Sequence, residues 1–267
     1  MADWDNIESR GEVEDRRGSS GVRVGGGLGI GGVILLVALN YFSGGNLGDV
    51  LGQLGGQMMQ QQASEQQAAP DSTYAVFAST VLGSANDLWK KQFGQMNKTY
   101  VEPRLVLFRD FTQSNCGGAD SSMGPHYCPL DQTIYLDETF FDVLTGQLKA
   151  KGGDVAEAYV MAHEVGHHVQ YQLGLLKKAK TGDESVQTEL QADCLAGAWA
   201  KSVEERKVVE PGEISEAIDA AAAVGDDRVQ KTYEGYINPE TWTHGSSKQR
   251  VAAFERGFGT GELKTCL

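Results

Sequence analysis

His163 and His167 stand four positions apart, and Glu164 directly follows the first. Four residues are just over one helical turn, so both imidazoles leave one face at a separation a single metal ion can bridge. Glu164 lies about 100° round the helix, at the edge of that face. From there it reaches a metal-held water without ligating the metal. Two neutral imidazoles, a nearby carboxylate base and an open coordination position are what metal-assisted hydrolysis requires. The flanks, Val155 to Met161 and Val169, are largely apolar. The helix is therefore expected to be buried, and two buried histidines with a glutamate need partners, which a metal supplies.

A second pair strengthens the reading. Glu189 and Asp193 are also four apart, with Ala192 and Ala196 beside them. One acid can complete the metal site, and the other can accept the N–H of a ligand histidine and so fix its tautomer. His244 opens the last helix and either stabilises a tetrahedral oxyanion or caps the helix start. Arg250 pairs with a carboxylate near the site or holds its helix in place, the second being favoured. His168 is expected to be structural and His126 to be exposed.

These segments resemble a known family. The pattern His-Glu-x-x-His with a downstream Glu-x-x-x-Asp looks like the thermolysin-like gluzincins. More closely, AHEVGHHVQ, ELQADCLAG and THGSSKQRVAAFERGF together are similar to the bacterial putative neutral zinc metallopeptidases, and VEDRRG and the loop from Cys116 to Cys128 fit as well. The resemblance implies zinc held by His163, His167 and Glu189, Glu164 as general base and Asp193 as partner of a ligand histidine. It also implies a zincin-like fold, a small sheet over an active-site helix whose edge strand binds a peptide or protein substrate. Two rivals stand beside a peptidase: a non-catalytic zincin-fold module that binds a peptide or envelope partner, and a zinc hydrolase of a non-protein amide. A purely structural zinc domain fits less well, because it wants four protein ligands and no base.

The elements that must position these groups read as α+β, with helices dominating the second half. Ser72 or Asp71 caps a helix to about Gln95, with Val76, Phe77, Val81, Leu82, Leu88 and Trp89 as apolar positions. Val101 to Phe108 is extended, Thr112 to Pro129 is a loop, and Thr133 to Leu136 is a short strand. Asp154 caps the histidine helix over about 155–173, which Gly174 ends. Further helices are expected over about 184–207, 212–224 and 246–257.

The 267 residues carry a formal net charge of −13, which argues against nucleic acid as a partner. Residues 1–23 read as a loose cytoplasmic tail, 24–43 as a single uncleaved transmembrane anchor, 44–72 as a Gly/Gln-rich linker and 73–267 as the metallopeptidase domain. Arg10, Arg16, Arg17 and Arg23 precede the apolar segment, and no Lys or Arg follows it until Lys90. The positive-inside rule then places the N-terminus in the cytoplasm and the domain outside, at the inner membrane. None of the four cysteines forms a C-x-x-C pair. Outside the cytoplasm Cys116 and Cys128 suit a disulfide closing a Gly-rich loop, which leaves Cys194 with Cys266.

Overall fold

The computed structural model describes residues 2–18, 72–177 and 179–267, so the expected anchor and linker lie outside the described residues. Among the described residues no helix is long and apolar enough to cross a membrane. The architecture is α+β. Strands β1 (Val13–Asp15), β2 (Arg104–Phe108), β5 (His126–Cys128) and β6 (Thr133–Asp137) form one sheet in the order β1-β2-β6-β5. β1 runs parallel to β2 and β2 to β6, whereas β5 is antiparallel to β6. Strands β3 (Phe111–Ser114) and β4 (Gly117–Asp120) make a separate hairpin. The helices are α1 (Ser72–Gln95), α2 (Phe140–Gly146), α3 (Asp154–Gln172), α4 (Gly182–Glu205), α5 (Ile214–Ala223), α6 (Asp226–Tyr233) and α7 (Ser247–Phe258).

Periodicity explains the long helices. On α1 the buried Ala78, Val81, Leu82, Ala85, Trp89 and Phe93 recur at three- and four-residue steps, one stripe facing the core. The histidine helix α3 is buried nearly all round, with Val155, Ala158, Tyr159, Ala162, Val165 and Val169 in the core, and it packs on α1, α4 and α5. Gly174, at a φ of 72°, ends it as expected. Ser246 and Gln249 form a capping box at the start of α7.

Three expectations need correction. Asp154 does not cap α3; Gly153 holds that position, and the Asp154 carboxylate instead accepts from the backbone N–H of Ala2 and from Trp4 Nε1. The stretch 112–129 is not simply a loop, because it contains β3, β4 and β5. Helices α2 and α6, too short for a clear periodic signal, were not foreseen at all.

The third correction concerns the first residues. They do not form a loose tail, but belong to one compact unit with the chain from residue 72 onward. The Trp4 indole stacks on Trp199 at 6.3 Å and meets Phe77 edge-on. Gly11 crosses α1 so closely that a Cβ there would fall 2.6 Å from Leu82 Cβ, and Ser79 bonds Gly11 through both its carbonyl and its hydroxyl. Arg17 is buried, paired with Asp15 and Glu138 and lying over the Tyr74 ring. The polar composition conceals one anchoring tryptophan and one obligatory glycine.

Near this clasp Glu157 is half-buried on α3. Burial pushes its carboxyl up from 4.5 to about 7, the Tyr74 hydroxyl opposes the shift, and Asp154 and Glu138 add to it. Between those two values the folded protein keeps a proton that the unfolded chain has lost, so stability falls as pH rises through the window. In urea unfolding at pH 5 and pH 8, the parent should lose about 1–2 kcal/mol more than Glu157→Gln, a figure reduced for the group's partial exposure. Equal losses would contradict the assignment.

Candidate metal centre

The site depends on how closely α3 and α4 approach. Gly166, between the two histidines, has no side chain, and a Cβ built on it would lie 3.0 Å from the carbonyl oxygen of Ala192. That contact lays Glu189 and Asp193 against the histidine face. His163 Nε2 lies 3.1 Å from one Glu189 oxygen and His167 Nε2 lies 3.4 Å from the other. Among the described residues this is the one group of three whose ligand atoms all fall within 4.8 Å of one another. A tetrahedral zinc with bonds of about 2.0–2.1 Å sets its ligands about 3.4 Å apart. The donor set, two imidazoles and one carboxylate, also suits that ion. The residues therefore fit zinc.

Each ligand histidine is held by its other nitrogen. His163 Nδ1 donates to Asp193 Oδ1 at 2.9 Å, as the spacing suggested. His167 Nδ1 donates to Gln170 Oε1 at 2.8 Å, and Gln170 Nε2 in turn donates to Thr188 O and Gln191 Oε1. Gln170 was missed, although its i+3 spacing from His167 on a helix could have revealed it.

Asp193 is completely buried and takes four hydrogen bonds. Beyond His163 they come from Tyr159 Oη at 2.6 Å and from Arg250 through Nε at 2.8 Å and a terminal nitrogen at 2.9 Å. Burial alone would raise the Asp193 carboxyl, but Arg250 and His163 outweigh it and hold the group at about 2. Arg250 thus pairs with a carboxylate of the site rather than merely holding its helix. It arrives because α4 and α7 approach at two glycines: a Cβ on Gly257 would fall 1.8 Å from the Cys194 oxygen. Burial likewise disfavours a charged His163, yet Asp193 and Glu189 overcome it and raise the ring's pKa. Glu189 is held well below its usual range, against burial, by His167 and His163.

Glu164 is 6 % exposed, lines the same cleft, and takes no hydrogen bond from any described side chain. The cleft has a volume of about 840 Å³. His244 also lines it, outside the ligand triad. Asp226 fixes that segment: its Oδ2 accepts from the backbone N–H of Thr243, His244 and Gly245, and its Oδ1 lies 3.4 Å from His244 Nδ1. Nothing in the local sequence marked Asp226, which is brought there by the turn between α5 and α6. His126, expected to be exposed, is half-buried on β5, stacks on Tyr135 at 5.5 Å and lines the cleft.

His168 is structural, as expected. It is fully buried, donates from Nε2 to Val101 O and accepts at Nδ1 from Tyr127 Oη, and burial pushes its pKa down to about 4. The cysteines pair as expected, Cys116 with Cys128 and Cys194 with Cys266. The first bond ties the β3–β4 turn to β5, and the second pins the C-terminus to α4 beside Asp193.

The family described as putative neutral zinc metallopeptidases matches residues 2–267, the described N-terminal strand included. The chain belongs to that family. It is 42% identical over 281 residues to the uncharacterized protein YpfJ of Escherichia coli K12, covering 98% of this chain and 97% of that one. It is 46% identical over 182 residues to the uncharacterized protein Rv2575 of Mycobacterium tuberculosis, 62% of each chain. No solved structure matches it.

Proposed function

We propose that the protein is a zinc-dependent peptidase acting outside the cytoplasm. The observation that carries this reading is the Glu164 carboxylate, uncommitted to any described side chain, in the cleft beside His163, His167 and Glu189. Zinc held by those three would supply Lewis-acid polarisation of a peptide carbonyl and of water. Glu164 is then the general base that takes the proton of the attacking water and delivers it to the leaving amine. Asp193 and Gln170 keep both imidazoles in the tautomer that presents Nε2. His244, positioned by Asp226, faces the cleft as the donor to the developing oxyanion. The sheet beside the histidine helix agrees with a zincin-like arrangement. Two disulfides support an oxidising compartment.

A free, buried base favours catalysis over a binding module, because a site that only binds has no use for one. The full-length chain, purified without added zinc or affinity chelators, should carry close to one zinc per molecule, and His163→Ala should carry almost none. Hydrolysis of a mixed peptide substrate should vanish with a chelator and return with zinc. Folded protein that takes up no zinc even when it is offered would end this reading.

A further inference from the structure

Resting on the zinc reading, we propose that Gln191 is a positioning residue for His167, and that the Cys194–Cys266 disulfide holds the backbone carbonyl that orients it.

The two ligand histidines are supported unequally. His163 rests on Asp193, a carboxylate that can only accept and that Tyr159 and Arg250 fix from other sides. His167 rests on a neutral amide. An amide has a donor end and an acceptor end of nearly the same shape, so it can hold a ring in either tautomer. With Gln170 Oε1 toward the ring, Nδ1 carries the proton and Nε2 is free to bind a metal. With that amide reversed, its N–H would face Nδ1, the ring proton would sit on Nε2, and the ligand atom would be blocked.

Two backbone carbonyls choose between these arrangements, because a carbonyl can only accept. Thr188 O takes a hydrogen bond from Gln170 Nε2 at 2.7 Å. Gln191 Oε1 takes the other from the same nitrogen at 3.0 Å. Gln191 is a reversible amide too. Its own sense is fixed by Cys266 O, which accepts from Gln191 Nε2 at 2.8 Å. The chain therefore runs one way only, from Cys266 O through two amides to the Nδ1 proton of His167.

The disulfide secures the far end of that chain. Gln191 and Cys194 stand three apart on α4, so one helix face grips Cys266 twice, once by a hydrogen bond and once by a covalent bond. Cys266 is buried in a short turn, Leu263–Cys266, packed on α4 and α7. Gln92 of α1 bonds Gly261 O and Leu263 N just before it. The other hydrogen bonds and ion pairs of 264–267, among the described residues, stay within 260–267. Without the S–S bond, Gln191 would have to orient itself on a carbonyl that it alone holds.

The test measures zinc affinity of full-length variants by competition with a chromogenic chelator. Gln170→Leu should bind zinc about 10–100-fold more weakly, the usual cost of losing the partner of a ligand histidine. Gln191→Leu, and separately Cys194→Ala with Cys266→Ala, should each weaken it by about threefold or more, less than Gln170→Leu because Thr188 O remains. Combining the two should cost less than the product of their losses, since both cut one chain. In long-range 1H–15N spectra of the zinc-loaded forms, the His167 Nδ1 proton should exchange faster with water in both variants, and that of His163 should not change. Cys116→Ser with Cys128→Ser removes the other disulfide and should leave zinc affinity at the parent value. An equal loss there would mean general loosening, and multiplying losses in the combined variant would mean separate effects; either overturns the proposal. Gln191→Leu keeps both disulfides, so parent-like affinity in it overturns the proposal even if the cysteine variants fail to fold, and leaves the zinc site standing. A folded parent that binds no zinc ends the zinc reading itself, and this proposal with it.

Discussion

Glu164→Gln will bind zinc as the parent does and lose peptide hydrolysis by about 10²–10⁴-fold, the contribution of a positioned general base. The substitution keeps the size of the side chain and its place in the cleft, and leaves His163, His167 and Glu189 untouched. Glu164 holds no described side chain by a hydrogen bond, so no structural contact is lost. Metal content and thermal midpoint should therefore match the parent while kcat falls. A variant with full zinc and undiminished kcat would assign the proton transfer to another group.

The second large effect is on stability. Arg250→Met removes the cation that makes two of the four hydrogen bonds to Asp193, in a region where neither residue is more than 3 % exposed. Breaking a buried ion pair from one side leaves the other charge uncompensated, at about 3–5 kcal/mol. Urea unfolding of the metal-free forms should show that loss. Adding Asp193→Asn to Arg250→Met should return part of it, because an amide is far less costly to bury than an unpaired carboxylate. A loss below about 1 kcal/mol would mean that water reaches the pair. The loss should also weaken zinc affinity, since Asp193 orients His163.

The site was legible because helices make it so. His163, His167, Glu189 and Asp193 all stand at four-residue spacing on two helices, and such spacing specifies a shared face before any fold is known. What the spacing could not show was how near those helices come. That is set by Gly166 against Ala192, and by Gly197 and Gly257 where α4 meets α7. Arg250 reads as structural in the sequence for this reason: its partner lies 57 residues away across a glycine crossing. Asp226 was invisible for a similar one, acting through backbone N–H groups that carry no sequence signature. The strands β1 and β5, each of three residues, are shorter than any alternating pattern can reveal.

Strand β1 ties the first residues to the same compartment as the histidine helix. Val13, Glu14 and Asp15 pair with Leu105, Val106 and Leu107 within one sheet. Strands that share hydrogen bonds share an aqueous compartment. A bitopic layout, with the first residues on one side of a bilayer and the zinc helix on the other, would pull β1 out of its sheet and Trp4 off Trp199. A cysteine placed at Ser9 and another at an exposed site such as Lys264 should be labelled by an impermeant thiol reagent from the same side. Labelling from opposite sides would show that the first strand leaves the sheet.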